Sequence, residues 1–253
     1  VTAAALVTGA AKRIGRFIAL DLAAHGWRIA VHYHRSAVEA QTVVAEIERG
    51  GGTATAIAAD LAREDESASL VTRAARTIGP LSALINNASV FESDRVRTAT
   101  RASWDLHMEV NLRAPFVLTQ EFARNLPPAA RGNVINILDQ RVWNLTPFFT
   151  SYTLSKVGLW TLTQTLAMAL APDIRVNAVG PGPTLPSQRQ TEEGFRRQWA
   201  ALPLARQVQP EEIAAAIRFI LDAPAVTGQM IAVDAGQHLG WSSRGAGLGP
   251  ADE

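Results

Sequence analysis

Thr8-Gly9-Ala10-Ala11-Lys12-Arg13-Ile14-Gly15 joins an apolar run of strand length, residues 3–8, to an amphipathic stretch over residues 14–24. Small residues permit a tight turn there, and the backbone N–H groups of the turn and of the helix N-terminus converge where a pyrophosphate would sit. The placement predicts a dinucleotide-binding unit with Gly9, Lys12, Arg13, Ile14 and Gly15 against the cofactor. On its own the turn would also serve as a plain strand-to-helix connection.

Outward from this turn the alternation repeats. Strand-length apolar runs at residues 28–33, 53–58, 83–86, 133–138 and 174–178 are each followed by a helical stretch, at 38–48, 68–78, 104–122, 151–170 and 211–221. Residues 230–233 read as a last strand. Seven apolar strands, most followed by a helix, predict an α/β fold: a single-domain, doubly wound Rossmann fold, its seven-stranded parallel sheet covered by helices on both faces. No segment reads as a linker, so residues 1–239 form one domain and 240–253, rich in Gly and Ser, a flexible tail.

With 253 residues, 47% of them hydrophobic, the chain has material for a large core. The net charge is +1 and the charges are dispersed, which argues against a nucleic-acid groove or a membrane-surface helix. The absence of cysteine excludes disulfides and thiolate metal sites, and no other metal site is read. No apolar run approaches the roughly 18 residues of a membrane span, and a cytoplasmic location is expected.

Tyrosine and lysine each occur twice, and one of each lies in Ser151-Tyr152-Thr153-Leu154-Ser155-Lys156. On a helix, positions i and i+4 share a face. Nearly all other basic residues are arginine, so a lysine four residues after a scarce tyrosine suggests a task arginine does not perform. An ammonium beneath the phenol favours the phenolate and is expected to pull the Tyr152 pKa below about 10. The tetrapeptide alone is equally compatible with an ordinary helix.

Gly9-x-x-x-Arg13-x-Gly15 resembles the turn of the short-chain dehydrogenase/reductase family, with Arg13 in the middle glycine slot. Asn86-Asn87-Ala88, Asn111, Tyr152-x-x-x-Lys156, Pro181-Gly182, Thr227-Gly228 and Val233-Asp234-Ala235-Gly236 resemble that family's further motifs, in order, over residues 3 to about 239. The resemblance implies that Asn87, Ala88, Ser89, Pro181, Gly182, Tyr152 and Lys156 meet the cofactor. It also implies that Asn111 holds a water linking Lys156 to solvent, and that the protein is a homotetramer.

An NAD enzyme usually carries an acid about 20 residues beyond the glycines. Here the second strand ends His32-Tyr33-His34-Arg35-Ser36, with no acid before Glu39. Arg35 can fork onto a 2′-phosphate, supplemented by His34, Ser36 and Lys12, so NADP(H) is the expected cofactor. The alternative is a solvated Arg35 at a helix start. Asp60-Leu61 resembles the pair whose acid holds the adenine; otherwise Asp60 is a helix cap.

Most of the family places a serine thirteen residues before the tyrosine; here that position is Asp139. A carboxylate repels a developing alkoxide but can relay a proton to a ring nitrogen. Together with Arg13, the second-strand ending and Asn87-Ala88-Ser89-Val90-Phe91, it resembles the pteridine reductase and dihydromonapterin reductase branch. That implies a small pterin-like substrate bound by Arg13, Ser89, Phe91, Asp139 and Tyr152, stacked between Phe91 and the nicotinamide. Hydride would go to a ring C=N carbon, with Tyr152 as proton donor and Asp139 as relay. In that branch an arginine near the C-terminus of a neighbouring subunit enters the site; Trp241 stands near that place and Arg244 a little beyond. Taken outside the resemblance, Asp139 and Phe91 could each be ordinary loop residues. The rival readings are a carbonyl or 3-oxoacyl reductase of the same family and a non-catalytic NADPH-sensing protein.

Overall fold

The computed structural model describes residues 3–187 and 189–240; Trp241, Arg244 and the remainder of the predicted tail lie outside them. Seven strands form one sheet: β1 (Ala4–Val7), β2 (Arg28–Tyr33), β3 (Ala54–Ala58), β4 (Ala83–Asn86), β5 (Gly132–Ile137), β6 (Ile174–Pro181) and β7 (Met230–Val233). Their order is β3-β2-β1-β4-β5-β6-β7, and every pairing is parallel. The predicted doubly wound sheet is therefore the observed one.

The helices are α1 (Arg13–Ala24), α2 (Ala37–Arg49), α3 (Glu64–Ile78), α4 (Arg101–Met108), α5 (Ala114–Asn125), α6 (Thr150–Ala169), α7 (Glu192–Ala200) and α8 (Pro210–Asp222). Ala5 and Val7 of β1 pack with Ile18 and Leu22 of α1, Val43 of α2 and Ile217 of α8. Ala4 and Leu6 point to the other face, among Leu70 of α3, Leu118 of α5 and Leu166 of α6. Both faces of β1 are buried, which is why the strand reads as a continuous apolar run. Strand order reverses between β2-β1 and β1-β4, so a crevice opens at the carboxyl ends of β1 and β4, where ligands of this architecture bind.

Three departures from the sequence reading bear on the site. Residues 104–122 are not one helix: α4 and α5 are separated by a π-helical turn, Glu109–Arg113. Pro115 has no N–H to donate to the carbonyl of Asn111, so the α ladder cannot continue unchanged there. β6 runs three residues beyond the expected end, to Pro181. The loop after it, which shows no motif, contains α7, capped by the Thr191 hydroxyl accepting from the Gly194 N–H.

Candidate active site

The glycine turn is held by its neighbours. Gly9 has φ +62° and Arg13 φ +52°, so Arg13 keeps the left-handed backbone usual for glycine. A Cβ on Gly15 would lie 2.2 Å from the Gly9 carbonyl oxygen and 2.4 Å from Asn87 Nδ2, so only glycine fits. The Thr8 hydroxyl accepts from the Asn87 and Ala88 N–H groups at 2.9 and 3.0 Å. Asn87 spends both amide hydrogens on the carbonyls of Thr8 and Gly9. Asn87 and Ala88, both expected against the cofactor, are thus fastened to the turn.

His32, which the sequence reading passes over, completes the turn: its Nδ1 accepts from the Gly9 N–H at 3.0 Å and its Nε2 reaches the Ala59 carbonyl at 3.1 Å. Burial depresses its pKa to about 4. The N-terminus of α1 has neither a capping side chain nor an acid in its first turn. Its first N–H groups lack intrahelical partners, and with Ile14 beside them they fit a phosphate group.

At the end of β2, His34 and Arg35 are exposed and Ser36 precedes α2 without capping it. Lys12 is paired with Glu39 at 2.7 Å. His34 Nε2 lies 3.6 Å from Asp60, whose other oxygen accepts the Ala62 N–H at 3.0 Å. Asp60 is not the cap of α3, since Arg63 holds that position. Leu61 is buried in the core.

The catalytic candidates meet where β5 ends. The Tyr152 hydroxyl donates to Asp139 Oδ2 at 2.9 Å, and Asp139 Oδ1 accepts the Arg141 N–H at 2.8 Å. The buried Arg141 side chain brings Nε to 3.8 Å from Oδ2. Lys156 Nζ donates to the Ile137 carbonyl at 2.9 Å and lies 5.8 Å from the centre of the Tyr152 ring. Here the expected sign is corrected. Burial, then the charge of Asp139, holds the Tyr152 phenol well above its ordinary pKa, because the lysine bonds to backbone and the carboxylate takes the hydroxyl. Burial also brings Lys156 down to about 8, against the attraction of Asp139.

The Asn111 side chain joins the loop after β4 to α6. Its oxygen accepts from Val90 N–H and Ser89 Oγ, and its nitrogen donates to the Val90 carbonyl and Ser155 Oγ. An amide has two donors and two acceptors, all used here, so a water held at Asn111 would have to use its backbone carbonyl.

Phe91 stacks on Phe149 with ring centres 4.4 Å apart and meets Tyr152 edge-on at 4.7 Å. Arg141 and Arg189 each stand nearly equidistant from the Phe91 and Phe149 centres, so they flank the stack's edge and do not cap a face. Arg13 donates to the carbonyls of Leu185 and Pro186, tying the loop after β6 to the glycine turn. A cleft of about 150 Å³ gathers Arg13, Phe91, Asp139 and Arg141 with Phe195 and Gln198 of α7, and Pro181 and Gly182 form part of its wall. Arg141, Phe149, Arg189 and α7 were missed by sequence reasoning; only the position of Arg141, two residues after Asp139, offered a signal.

A family model described as enoyl-(acyl carrier protein) reductase matches residues 9–238. The chain belongs to the short-chain dehydrogenase/reductase family. Within it, the chain is 34% identical to the 3-oxoacyl-[acyl-carrier-protein] reductase of Synechocystis sp., over 93% of this chain and 96% of that protein. Two solved members are similar throughout. FolM alternative dihydrofolate reductase 1 from Brucella canis, in complex with NADP, has a TM-score of 0.91 and 45% identity, covering 97% of this chain and 98% of that one. Its Brucella suis counterpart, also with NADP, has a TM-score of 0.90 and 45% identity, covering 96% and 98%.

Proposed function

We propose that this short-chain oxidoreductase uses NADPH to reduce a ring C=N bond of a pterin. The observation that carries the proposal is the 2.9 Å hydrogen bond from Tyr152 to Asp139. A carbonyl reductase develops an alkoxide beside its tyrosine, and a carboxylate there would oppose that charge. A ring nitrogen instead takes up a proton, and a phenol–carboxylate pair suits that task.

The cofactor cradle fits the proposed group: uncapped N–H groups on α1, a glycine cradle that a Cβ would fill, and no acid at the end of β2. Gly9, Arg13, Ile14 and Gly15 would hold the pyrophosphate, with Asn87, Ala88 and Ser89 beside it and Pro181 and Gly182 near the nicotinamide. Arg35, His34, Ser36 and Lys12 would hold the 2′-phosphate, Asp60 and Leu61 the adenine, and Lys156 the nicotinamide ribose. The bound dihydronicotinamide would supply hydride. Tyr152, kept protonated by burial and by Asp139, donates the proton; Asp139 orients the phenol and passes the proton between it and the ring nitrogen. Phe91 stacks on the pterin and Arg13 reaches its edge. Asn111 holds the Phe91 loop against α6. Homotetrameric assembly, on resemblance alone, and a cytoplasmic location complete the proposal.

The 34% identity to the Synechocystis 3-oxoacyl-[acyl-carrier-protein] reductase favours a second reading, reduction of a 3-oxoacyl thioester. NADPH oxidation measured with dihydrobiopterin, dihydromonapterin, dihydrofolate and acetoacetyl thioester separates them. Turnover confined to the thioester would remove the pterin assignment.

A further inference from the structure

The loop between β4 and α4 carries Phe91, and α6 carries Tyr152; a buried chain of polar groups connects them. α6 begins without a cap of its own, because Phe149, at φ +55°, offers no side-chain acceptor. The free N–H groups of its first turn need partners. Asp94, 2% exposed, supplies them from the loop. Its Oδ1 accepts the Ser151 N–H at 3.0 Å, its Oδ2 accepts the Ser151 hydroxyl, and its backbone carbonyl accepts the Thr150 N–H at 3.3 Å. Ser103 Oγ adds a contact to Oδ2 at 3.2 Å.

His107 of α4, fully buried, closes the chain. Its Nε2 accepts the Glu92 N–H at 3.0 Å and its Nδ1 lies 2.7 Å from Ser151 Oγ. Because a backbone N–H can only donate, Nε2 must be the acceptor and the ring hydrogen must sit on Nδ1. The direction is then fixed throughout: Glu92 N–H to His107, His107 N–H to Ser151, Ser151 O–H to Asp94. Burial lowers the pKa of His107 against the pull of Asp94, in keeping with a neutral ring.

These three residue types suggest a hydrolytic triad, but the hydrogens run the wrong way. A nucleophilic serine gives its hydrogen to histidine. Ser151 gives its hydrogen to the carboxylate, receives one from histidine, and has no exposed surface.

We infer that Asp94, Ser151 and His107 are positioning residues that set Phe91 and Tyr152 at their working separation. The chain starts on the neighbour of Phe91, passes through the neighbour of Tyr152 and returns to Asp94 of the Phe91 loop, and the two rings meet at 4.7 Å. This rests on Tyr152 as proton donor, a role common to both readings above.

The test uses the full-length protein with NADPH bound and four variants. His107→Leu and Ser151→Ala break the chain. Asp94→Asn puts an N–H against a hydroxyl that must donate. His107→Gln retains one acceptor and one donor and serves as the rescue. In hydrogen exchange, His107→Leu should raise the rates of residues 90–94 and 150–152 together, while the glycine turn stays protected and His107→Gln stays close to wild type. In kinetics, Ser151→Ala should lower kcat/KM roughly tenfold, the scale of one broken buried hydrogen bond, with NADPH affinity unchanged. In a Phe91→Ala background the same substitution should add little to KM, since the ring it positions is gone. Effects on KM that simply multiply, or exchange that rises at one segment alone, would overturn the inference. If the wild type reduces only the thioester, the pterin reading fails and the same cycle, read on kcat with the thioester, still decides the positioning role.

Discussion

The Tyr152 hydroxyl and the Asp139 carboxylate, thirteen residues apart in the chain, are joined by a 2.9 Å hydrogen bond at the end of β5. The bond stabilises the protonated phenol, so Tyr152 is a proton holder at neutral pH before any ligand arrives. It also places a negative charge where the family's usual serine would offer a hydroxyl.

Asp139→Ser should therefore act in two directions. Reduction of a dihydropterin is expected to fall by about 100-fold or more, the scale of lost acid–base assistance. The Tyr152 pKa should fall as well, because a charge and a strong acceptor are removed. Ultraviolet difference titration reads the second effect separately from turnover. An unchanged phenol titration together with unchanged turnover would refute the role given to the pair.

Lys156 predicts an alkaline limb. With its pKa near 8, the ammonium is lost as pH rises through that value in the ligand-free protein. kcat/KM for NADPH should fall above about pH 8, approaching tenfold per unit. Lys156→Arg, charged throughout, should lack this limb yet turn over slowly, since a planar guanidinium cannot replace a compact ammonium against the Ile137 carbonyl. Tyr152→Phe should bind NADPH normally and lose most turnover.

Arg35 stands exposed at the end of β2, and the nearest acid on α2, Glu39, is already paired with Lys12. One charge-assisted contact to the 2′-phosphate, about 1.4 kcal/mol, gives a tenfold preference for NADPH over NADH. Arg35→Asp should reverse the ranking. Equal use of both cofactors by the wild type would show that the end of β2 does not select the phosphate.

His32 links stability to pH. Its folded pKa of about 4 lies below the ordinary 6.5, so the unfolded chain binds the extra proton first. The stabilisation is complete above about pH 6.5 and is lost as pH falls towards and through 4, amounting to about 3 kcal/mol. Urea unfolding at pH 7 and pH 5, compared with His32→Gln, should show a steeper loss in the wild type. Parallel slopes would mean that the buried ring is not the source.

The sheet and the main site motifs were legible because each depends on short-range spacing. Apolar runs buried on both faces announce strands, and the turn from Thr8 to Gly15 lies in the order its architecture requires. Asp139 was reached through the family resemblance, which marks the position thirteen residues before Tyr152. What escaped depends on contacts between distant segments. Spacing places Lys156 on the face of Tyr152, but not its ammonium on a carbonyl of β5. Asn87 and Asn111 are recognisable as motif residues, yet only the folded neighbours show that their amides are consumed in holding loops. α7 is rich in charge and carries Phe195 and Trp199 as its large apolar side chains, too few for a periodic signal.

Thr8 gives β1 something the strand itself lacks. A half-buried strand resists slippage because a shift by one residue would turn its polar side inward. β1 has no polar side, so that safeguard is missing and slipped pairings would differ mainly in shape. The Thr8 hydroxyl, fastened to Ile85, Asn87 and Ala88, latches β1 to β4 at a single position. The same latch shapes the turn that would receive the cofactor. Alignment of the sheet and readiness of the binding cradle thus share one fastening, and a change at Thr8 would loosen both together.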